Sequence, residues 1–203
     1  MRCLELFKGT GSISTYCRNN GIECVSLDWN PNSKADICCD IMEFDYRQFA
    51  PKYFDVIWAS PECKIYSSMQ NIWIRRKWGS LGELKEEQRK HDKFIIKTLE
   101  IIDYLQPEVY FIENPASSRI WEVEETKRDF YVRVDYCRFG FEYKKPTRIL
   151  TIKKINNCLC ECKSHKYRIG GSKLRKPHQI HVKSLEQRYS IPQKLIAYLF
   201  APP

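Results

Sequence analysis

The chain has 203 residues, of which 43% are hydrophobic, a composition that excludes a disordered protein and suits one sizeable core with at most a small appendage. No apolar run approaches the ~20 residues of a membrane span, and the N-terminus enters a strand-like pattern directly, which predicts a soluble, intracellular protein. Lys and Arg outnumber Asp and Glu by 34 to 25, and the net charge of +9 favours a polyanionic partner, with nucleic acid the first candidate.

Short apolar runs alternate with helical patterns from the N-terminus onward, which is typical of a mainly parallel sheet with crossover helices. Glycine ends the first strand, and a first helix runs from there to about Asn20. A second helix is predicted over 84–105, where apolar residues recur on one face. The predicted strands of this part are Cys3–Phe7, Ile22–Leu27, Ala35–Cys38, Asp55–Ala59 and Glu108–Ile112.

The last third of the chain changes character twice. Residues 131–136 and 148–152 are predicted to form a terminal antiparallel hairpin, and residues 191–200 a closing helix. The whole pattern predicts an α/β fold, a Rossmann-like, doubly wound and mainly parallel sheet. The catalytic domain would comprise residues 1–153 and 184–203, with residues 154–183 as a basic, Cys- and His-rich insertion.

Basic residues concentrate in that insertion and in Arg75–Lys77. Clustered positive charge favours a nucleic-acid surface, whereas solubility alone is the alternative explanation. The ten cysteines do not require a disulfide framework, because a chain of this size folds around its own core.

Polar residues at successive strand ends predict a nucleotide-type pocket. Gly9 and Gly11 lie between the first strand and helix, where the backbone can approach a ligand closely. Asp28 ends the second strand and suits a ribose diol, and Asp40 with Ile41 suits an adenine. Each has a surface-loop alternative. Because the chain lacks a phosphate-binding loop and a third glycine, a nucleoside cofactor without pyrophosphate fits best.

A thiol and a carboxylate follow two further strands. Cys63 comes just after the strand ending at Ala59, and Glu113 directly follows Ile112. Ligands bind at the carboxyl ends of strands in such sheets, so the two side chains are expected to converge. Taken singly, Cys63 also fits an inert loop thiol, and Glu113 the start of a helix.

Together these motifs resemble those of the cytosine-C5 DNA methyltransferases, in order and spacing over residues 3–152. Leu6 to Gly11 resembles the first family motif, Asp28-Trp29 the acidic–aromatic pair, and Asp40-Ile41 the adenine-contact dipeptide. The remaining resemblances are Ser60-Pro61-Glu62-Cys63 to the nucleophile loop, Glu113-Asn114-Pro115 to Glu-Asn-Val, and Phe139-Gly140 with Arg148-Ile149 to a later motif.

The resemblance implies a class I methyltransferase domain that uses S-adenosylmethionine and acts on DNA, with a small size similar to that of phage or viral members. Cys63 would attack C6 of a flipped cytosine, Glu113 would hold N3, and Arg148 would steady the base or its phosphate. The resemblance implies that the cofactor is bound by Phe7, Gly9, Thr10, Gly11, Asp28, Trp29, Asp40, Ile41 and Pro61.

The chain departs from the family at Glu62, which stands where the family has proline. The carboxylate is expected to raise the pKa of the neighbouring thiol, with Lys64 opposing it, and the lost proline to loosen the loop. This departure motivates one alternative, a catalytically impaired nucleic-acid-binding module. Others are an amino-methyltransferase, which Ser60-Pro61 half fits, and an enzyme acting on cytosine in RNA.

Four possible metal ligands lie close together in the insertion. Cys158, Cys160, Cys162 and His165 suit a zinc ion, although their spacing is tighter than the usual C-x-x-C. His178 or His181 are alternatives to His165, and free thiols on a basic loop are the competing interpretation. The sequence therefore predicts a structural zinc beside the methyltransferase domain.

Overall fold

A computed structural model describes residues 1–162, 167–168, 180–181 and 184–201. The strands are β1 (Arg2–Leu6), β2 (Glu23–Asp28), β3 (Ile37–Cys38), β4 (Val56–Ala59), β5 (Val109–Pro115), β6 (Phe130–Asp135), β7 (Pro146–Thr151), β8 (Tyr167–Arg168) and β9 (Ile180–His181). The helices are α1 (Ser12–Asn19), α2 (Leu81–Leu105), α3 (Leu185–Tyr189) and α4 (Gln193–Phe200).

Seven strands form one mixed sheet in the order β3-β2-β1-β4-β5-β7-β6. Neighbours from β3 to β5 pair in parallel, and β7 runs antiparallel between β5 and β6. The strand order reverses between β1 and β4, which is where ligands bind in sheets of this kind. The predicted mainly parallel sheet with a terminal hairpin is confirmed.

The two faces of the sheet bury separate apolar clusters because strand side chains alternate. Leu4, Leu6 and Ile57 point to the face that α2 covers. Cys3, Val56 and Trp58 point to the opposite face, which packs with residues of α1 and α4. With both faces covered, the parallel strands are apolar throughout, and this explains why apolar runs located them.

Helix α2 begins three residues before the predicted start. Ser80 is its N-cap, and its Oγ accepts a hydrogen bond of 3.1 Å from the Glu83 amide. Ser80 and Glu83 form the S-x-x-E capping pattern, which marks a helix start that apolar periodicity does not reach. Helix α4 begins at Gln193 and not at residue 191, because Pro192 stands at the N-cap position just before the helix.

The stretch between β4 and α2 forms a turn of 3-10 helix, Ser68–Trp73, followed by a π-helical turn, Ile74–Trp78. The sequence pattern predicted neither, since short non-α turns carry no 3.6-residue periodicity. Arg75, Arg76 and Lys77 are exposed on the second turn.

The start of the insertion is attached to the sheet edge. Cys158 forms a parallel bridge with Val134 of β6, its amide donating to the Arg133 carbonyl and its carbonyl accepting from Asp135, both at 2.9 Å. Much of the remaining insertion, including His165 and His178, lies outside the described residues. Among the helices described, none is long and apolar enough to cross a bilayer.

Candidate active site

The turn after β1 is built around left-handed backbone. Phe7, Gly9 and Gly11 all have positive φ, of 60°, 49° and 69°. A Cβ added at Gly9 would meet no atom nearer than the Phe7 oxygen at 3.8 Å, so the position opens toward space that a ligand can enter. Beneath the turn, the buried Glu5 carboxylate accepts from the Ile13 and Ser14 amides at the start of α1.

Asp28 holds the turn to the end of β2. One carboxylate oxygen accepts from the Gly9 amide and the other from the Asn30 amide, both at 2.8 Å. Each oxygen keeps a further lone pair, so the carboxylate remains able to accept from a diol. Trp29, the next residue, is 71% exposed, which leaves its ring face available to a ligand.

A cavity of about 220 Å³ lies at these strand ends. Asp28, Trp29, Asp40 and Ile41 line it, as the sequence predicted for a nucleoside. Much of its remaining wall is apolar or aromatic and is contributed by Phe7, Leu27, Pro61, Tyr66, Phe94, Ile95 and Ile120. We call this space the cofactor half of the cleft.

A second cavity of about 390 Å³ adjoins the first, and Phe7, Asp28, Trp29, Pro61 and Glu62 line both. The second cavity brings together the residues for which a chemical role was predicted, Cys63 and Glu113, and also contains Gly9, Thr10, Asn114, Lys145 and Tyr189. We call it the base half of the cleft. The convergence of Cys63 with Glu113 follows from the adjacent pairing of β4 with β5.

The loop that carries Cys63 is tied down without a proline at position 62. The Asn114 amide donates to the Pro61 carbonyl at 2.8 Å, and the Gln88 amide donates to the Ile65 carbonyl at 3.0 Å. Both donors are buried. These bonds oppose the loosening expected from Glu62, whose side chain is exposed.

The Cys63 thiol lies in a site that favours its neutral form. Burial raises its pKa above the ordinary value, and the Glu113 carboxylate raises it further. Lys145 lowers it, and Glu62 raises it with the smallest effect of all. The predicted direction of the Glu62 effect therefore holds, but burial and Glu113 outweigh it, and the opposing cation is Lys145, not Lys64.

Glu113 is surrounded by a compact polar group. The Tyr136 hydroxyl donates to Glu113 Oε1 at 2.9 Å, and Lys145 Nζ lies 3.8 Å from the same oxygen. Lys145 Nζ also lies 4.6 Å from the centre of the Tyr136 ring. Burial raises the pKa of Tyr136 well above its ordinary value, so the phenol stays protonated as a donor.

Arg148 is not brought to this group. It pairs with Asn114 and Arg133 inside the sheet, and its guanidinium lies 5.0 Å from the Tyr131 ring centre and 5.7 Å from that of Trp121. Successive residues of a strand point to opposite faces, and Arg148 faces the side opposite Glu113. The cation that lies beside Glu113 is therefore Lys145, and the role expected of Arg148 at the base or its phosphate stays a prediction.

The predicted metal ligands are divided by the structure. The sulfurs of Cys160 and Cys162 lie within 4.8 Å of each other and of Cys137. Cys158 is not part of this group, because the sheet bridge holds its backbone, and its sulfur lies 3.7 Å from the Asn156 carbonyl. His165 lies outside the described residues.

Sequence reasoning assigned no role to three residues here, Tyr136, Lys145 and Cys137. Tyr136 directly follows β6, and Lys145 directly precedes β7. Both residues therefore lie in the connection between β6 and β7, at the end where β7 pairs with β5. Working out the pairing of the strands would have placed them near Glu113.

No family model matches the chain. It is 37% identical over 155 residues to a protein of Frog virus 3 (isolate Goorha) described as a "Probable DNA (cytosine-5)-methyltransferase", a match that covers 74% of this chain and 70% of that protein.

The chain also resembles two solved methyltransferase structures, and the first of them shares its fold. The Entamoeba histolytica methyltransferase EhMeth has a TM-score of 0.51 at 15% identity, over 77% of this chain and 54% of that chain. The S. pombe Dnmt2 methyltransferase has a TM-score of 0.49 at 16% identity, over 78% and 52%. The chain thus spans about half the length of these structures. The 37% identity to the viral protein, over most of both chains, shows that the chain belongs to the DNA (cytosine-5)-methyltransferase family.

Proposed function

We propose that the chain transfers a methyl group from S-adenosylmethionine to C5 of cytosine in DNA. The observation that carries the proposal is the meeting of Cys63, Glu113 and Lys145 in the base half of the cleft, directly beside the cofactor half. A nucleophile, a group for the base edge and a cation are what this chemistry requires in one place.

The cofactor half fits S-adenosylmethionine by its residues. Asp28 offers carboxylate lone pairs to a ribose diol, and Ile41 and Phe94 offer apolar walls to an adenine. Gly9 lines the adjoining base half and allows close approach from that side. Such a cofactor, when bound there, supplies the methyl group. The mixture of an apolar wall with a few convergent polar groups is typical of small-molecule sites.

In the proposed reaction the Cys63 thiolate forms a bond to C6 of a cytosine swung out of the duplex. The C5–C6 π electrons move into the ring toward N3, which carries a proton and donates a hydrogen bond to the Glu113 carboxylate. C5 would then take the methyl group that a bound S-adenosylmethionine supplies, with the methyl–sulfonium bond breaking and S-adenosylhomocysteine as the leaving group. Loss of the C5 proton to solvent and cleavage of the S–C6 bond restore the double bond and release the product.

We assign Lys145 two effects on this reaction. Its charge favours the Cys63 thiolate, whose pKa burial and Glu113 raise. It also offsets the buried Glu113 carboxylate, at 3.8 Å. Arg148 faces the other side of the sheet, where it packs against Tyr131 and Trp121.

Residues after the nucleophile loop supply a surface for the DNA. Ile72 and Trp73 are exposed, and the three cations of Arg75–Lys77 follow them directly. Cations neutralise phosphates, and exposed aromatic or apolar side chains stack on or insert between bases. The net charge of +9 agrees with this partner.

A trapping experiment tests the proposal. A duplex containing 5-fluorocytosine is incubated with the protein and S-adenosylmethionine, and the covalent complex is followed on a denaturing gel. The fluorine cannot leave as a proton does, so the adduct persists. The wild-type chain should form it and Cys63→Ser should not, although Cys63→Ser should bind the cofactor normally.

The other candidate functions give different results. An amino-methyltransferase would label ordinary DNA with tritiated methyl groups without ever being trapped. An RNA enzyme would be trapped by 5-fluorocytosine RNA and not by the duplex. An impaired nucleic-acid-binding module would retain duplex binding but give neither label nor adduct. Any of these results would overturn the proposed function.

A further inference from the structure

We propose that Cys137, Cys160 and Cys162 form a three-thiolate zinc site that fastens the insertion to the turn after β6. This site lies outside the cleft, and the inference does not rest on the proposed methyl transfer. Its ligands differ from the set that sequence spacing predicts, because Cys137 replaces Cys158.

The geometry of the three sulfurs carries the inference. All three lie within 4.8 Å of one another, although Cys137 comes from the turn Tyr136–Phe139 and the other two from beyond β7. Tetrahedral zinc with Zn–S bonds of about 2.3 Å spaces its sulfurs about 3.8 Å apart, so small side-chain adjustments suffice. Three thiolates fill three positions and leave the fourth to another ligand.

The backbone around Cys160 is arranged for this contact. The buried Asp135 carboxylate accepts from the Cys160 amide at 2.7 Å, which fixes the chain directly after the Cys158 bridge. The Cys162 amide donates to the Cys160 sulfur at 3.2 Å. An N–H aimed at sulfur favours thiolate, and such bonds orient and stabilise metal-bound cysteine. Binding therefore releases the three thiol protons to solvent.

A second group of three cysteines, Cys3, Cys17 and Cys24, also has close sulfurs. Cys3 and Cys17 are fully buried in the apolar core between the sheet and α1, where they pack as small hydrophobic side chains. The Cys137 group is accessible at the surface, and Cys162 is exposed. An ion can enter there without opening the core.

Metal analysis tests the site. Protein purified without chelator should contain about one equivalent of zinc. Replacing the zinc with Co²⁺ should give thiolate-to-cobalt absorption in the wild type, and a variant that loses the metal should lack it. Cys162→Ser is the primary variant, because Cys162 is exposed and its replacement removes no core packing. Cys137→Ser and Cys160→Ser should lose the metal similarly, with the fold checked by circular dichroism.

Cys158→Ser and Cys24→Ser are the matched controls, and both should retain the full metal content. Wild-type protein with less than about a tenth of an equivalent, or with a disulfide among the three cysteines by intact mass, would overturn the site. Loss of metal from Cys158→Ser, together with its retention in Cys137→Ser, would favour the spacing-based ligands. Loss from Cys24→Ser alone would move the metal to the core group. The Cys63 trapping assay is read separately, so failure of either proposal leaves the other intact.

Discussion

Removal of the positive charge at Lys145 tests the electrostatics of the cleft most directly. Lys145 and Glu113 have side chains that are only 13% and 8% exposed, and their charged atoms lie 3.8 Å apart. At that distance two unit charges attract by about 4 kcal/mol for an effective dielectric constant of ~20. Lys145→Gln removes this attraction and leaves Glu113 with the Tyr136 hydroxyl as its hydrogen-bond donor.

Two consequences should follow in Lys145→Gln. The thiol pKa of Cys63 should rise, because Lys145 lowers it in the native site and burial and Glu113 still raise it. In a plot of the methyl-transfer rate against pH, the rise that accompanies ionisation of Cys63 should move to higher pH. Single-turnover methyl transfer should fall by about a hundredfold, the effect of removing about 3 kcal/mol of charge stabilisation from a closed site.

The thiol pKa is measured by the pH dependence of Cys63 alkylation with iodoacetamide, without cofactor or DNA, and by mass spectrometry of the modified peptide. Lys144→Gln is the matched control, since Lys144 is the adjacent lysine, 46% exposed, and pairs with Asp135 outside the cleft. Lys145→Arg should restore most of the rate. An unchanged alkylation profile in Lys145→Gln, or an equal shift in Lys144→Gln, would refute the reasoning.

Three further results are expected. Asp28→Ala should weaken cofactor binding by about 1–3 kcal/mol in calorimetry, and an unchanged affinity would reject the ribose assignment. Burial raises the pKa of Glu5 from 4.5 to about 7, so the folded protein holds this proton more tightly than the unfolded chain does. The contribution of Glu5 to the free energy of unfolding should therefore be fully present below pH ~4.5 and fall by up to about 3 kcal/mol as pH rises through 7. Urea titrations across this pH range should find a smaller fall in Glu5→Gln. Glu62→Pro should raise the single-turnover rate by no more than about threefold and lower the Cys63 pKa slightly, because Glu62 has the weakest effect on that pKa. A slower reaction would place Glu62 in the active site.

The sheet was predictable from sequence because its strands are buried on both faces. Apolar runs such as the one from Val56 to Ala59 are typical of strands that helices cover on both sides, so the runs show where the strands lie along the chain. The meeting of Asp28 and Asp40 at one cavity was predictable for the same reason, since both residues follow such runs. What periodicity did not provide was the stretch from Ser68 to Trp78, whose 3-10 and π turns have no 3.6-residue repeat.

The cation and the sulfur cluster were harder to predict because both depend on register. Arg148 and Lys145 are three residues apart, and motif order alone favours arginine. The pairing of β7 with β5 turns Arg148 to the face opposite Glu113, whereas Lys145 lies beside that carboxylate. Cys137 was not predicted as a metal ligand for a related reason. Sequence spacing groups only cysteines that are close along the chain, and Cys137 meets Cys160 and Cys162 only in the folded structure.

The end of β6 and the turn after it connect the two proposed sites. Asp135 accepts from the Cys160 amide, Tyr136 donates to Glu113, and Cys137 belongs to the sulfur group. Because these three residues are consecutive, a metal that fixes Cys137 also limits how far the Tyr136 hydroxyl moves from Glu113. Removing zinc with a chelator should therefore slow single-turnover methyl transfer more than it weakens cofactor binding, whose proposed residues follow β1, β2, β3 and β4. Re-addition of zinc should restore the rate in wild type and not in Cys162→Ser. Equal losses of rate and cofactor affinity would instead indicate general unfolding, and the turn would then carry no coupling between the sites.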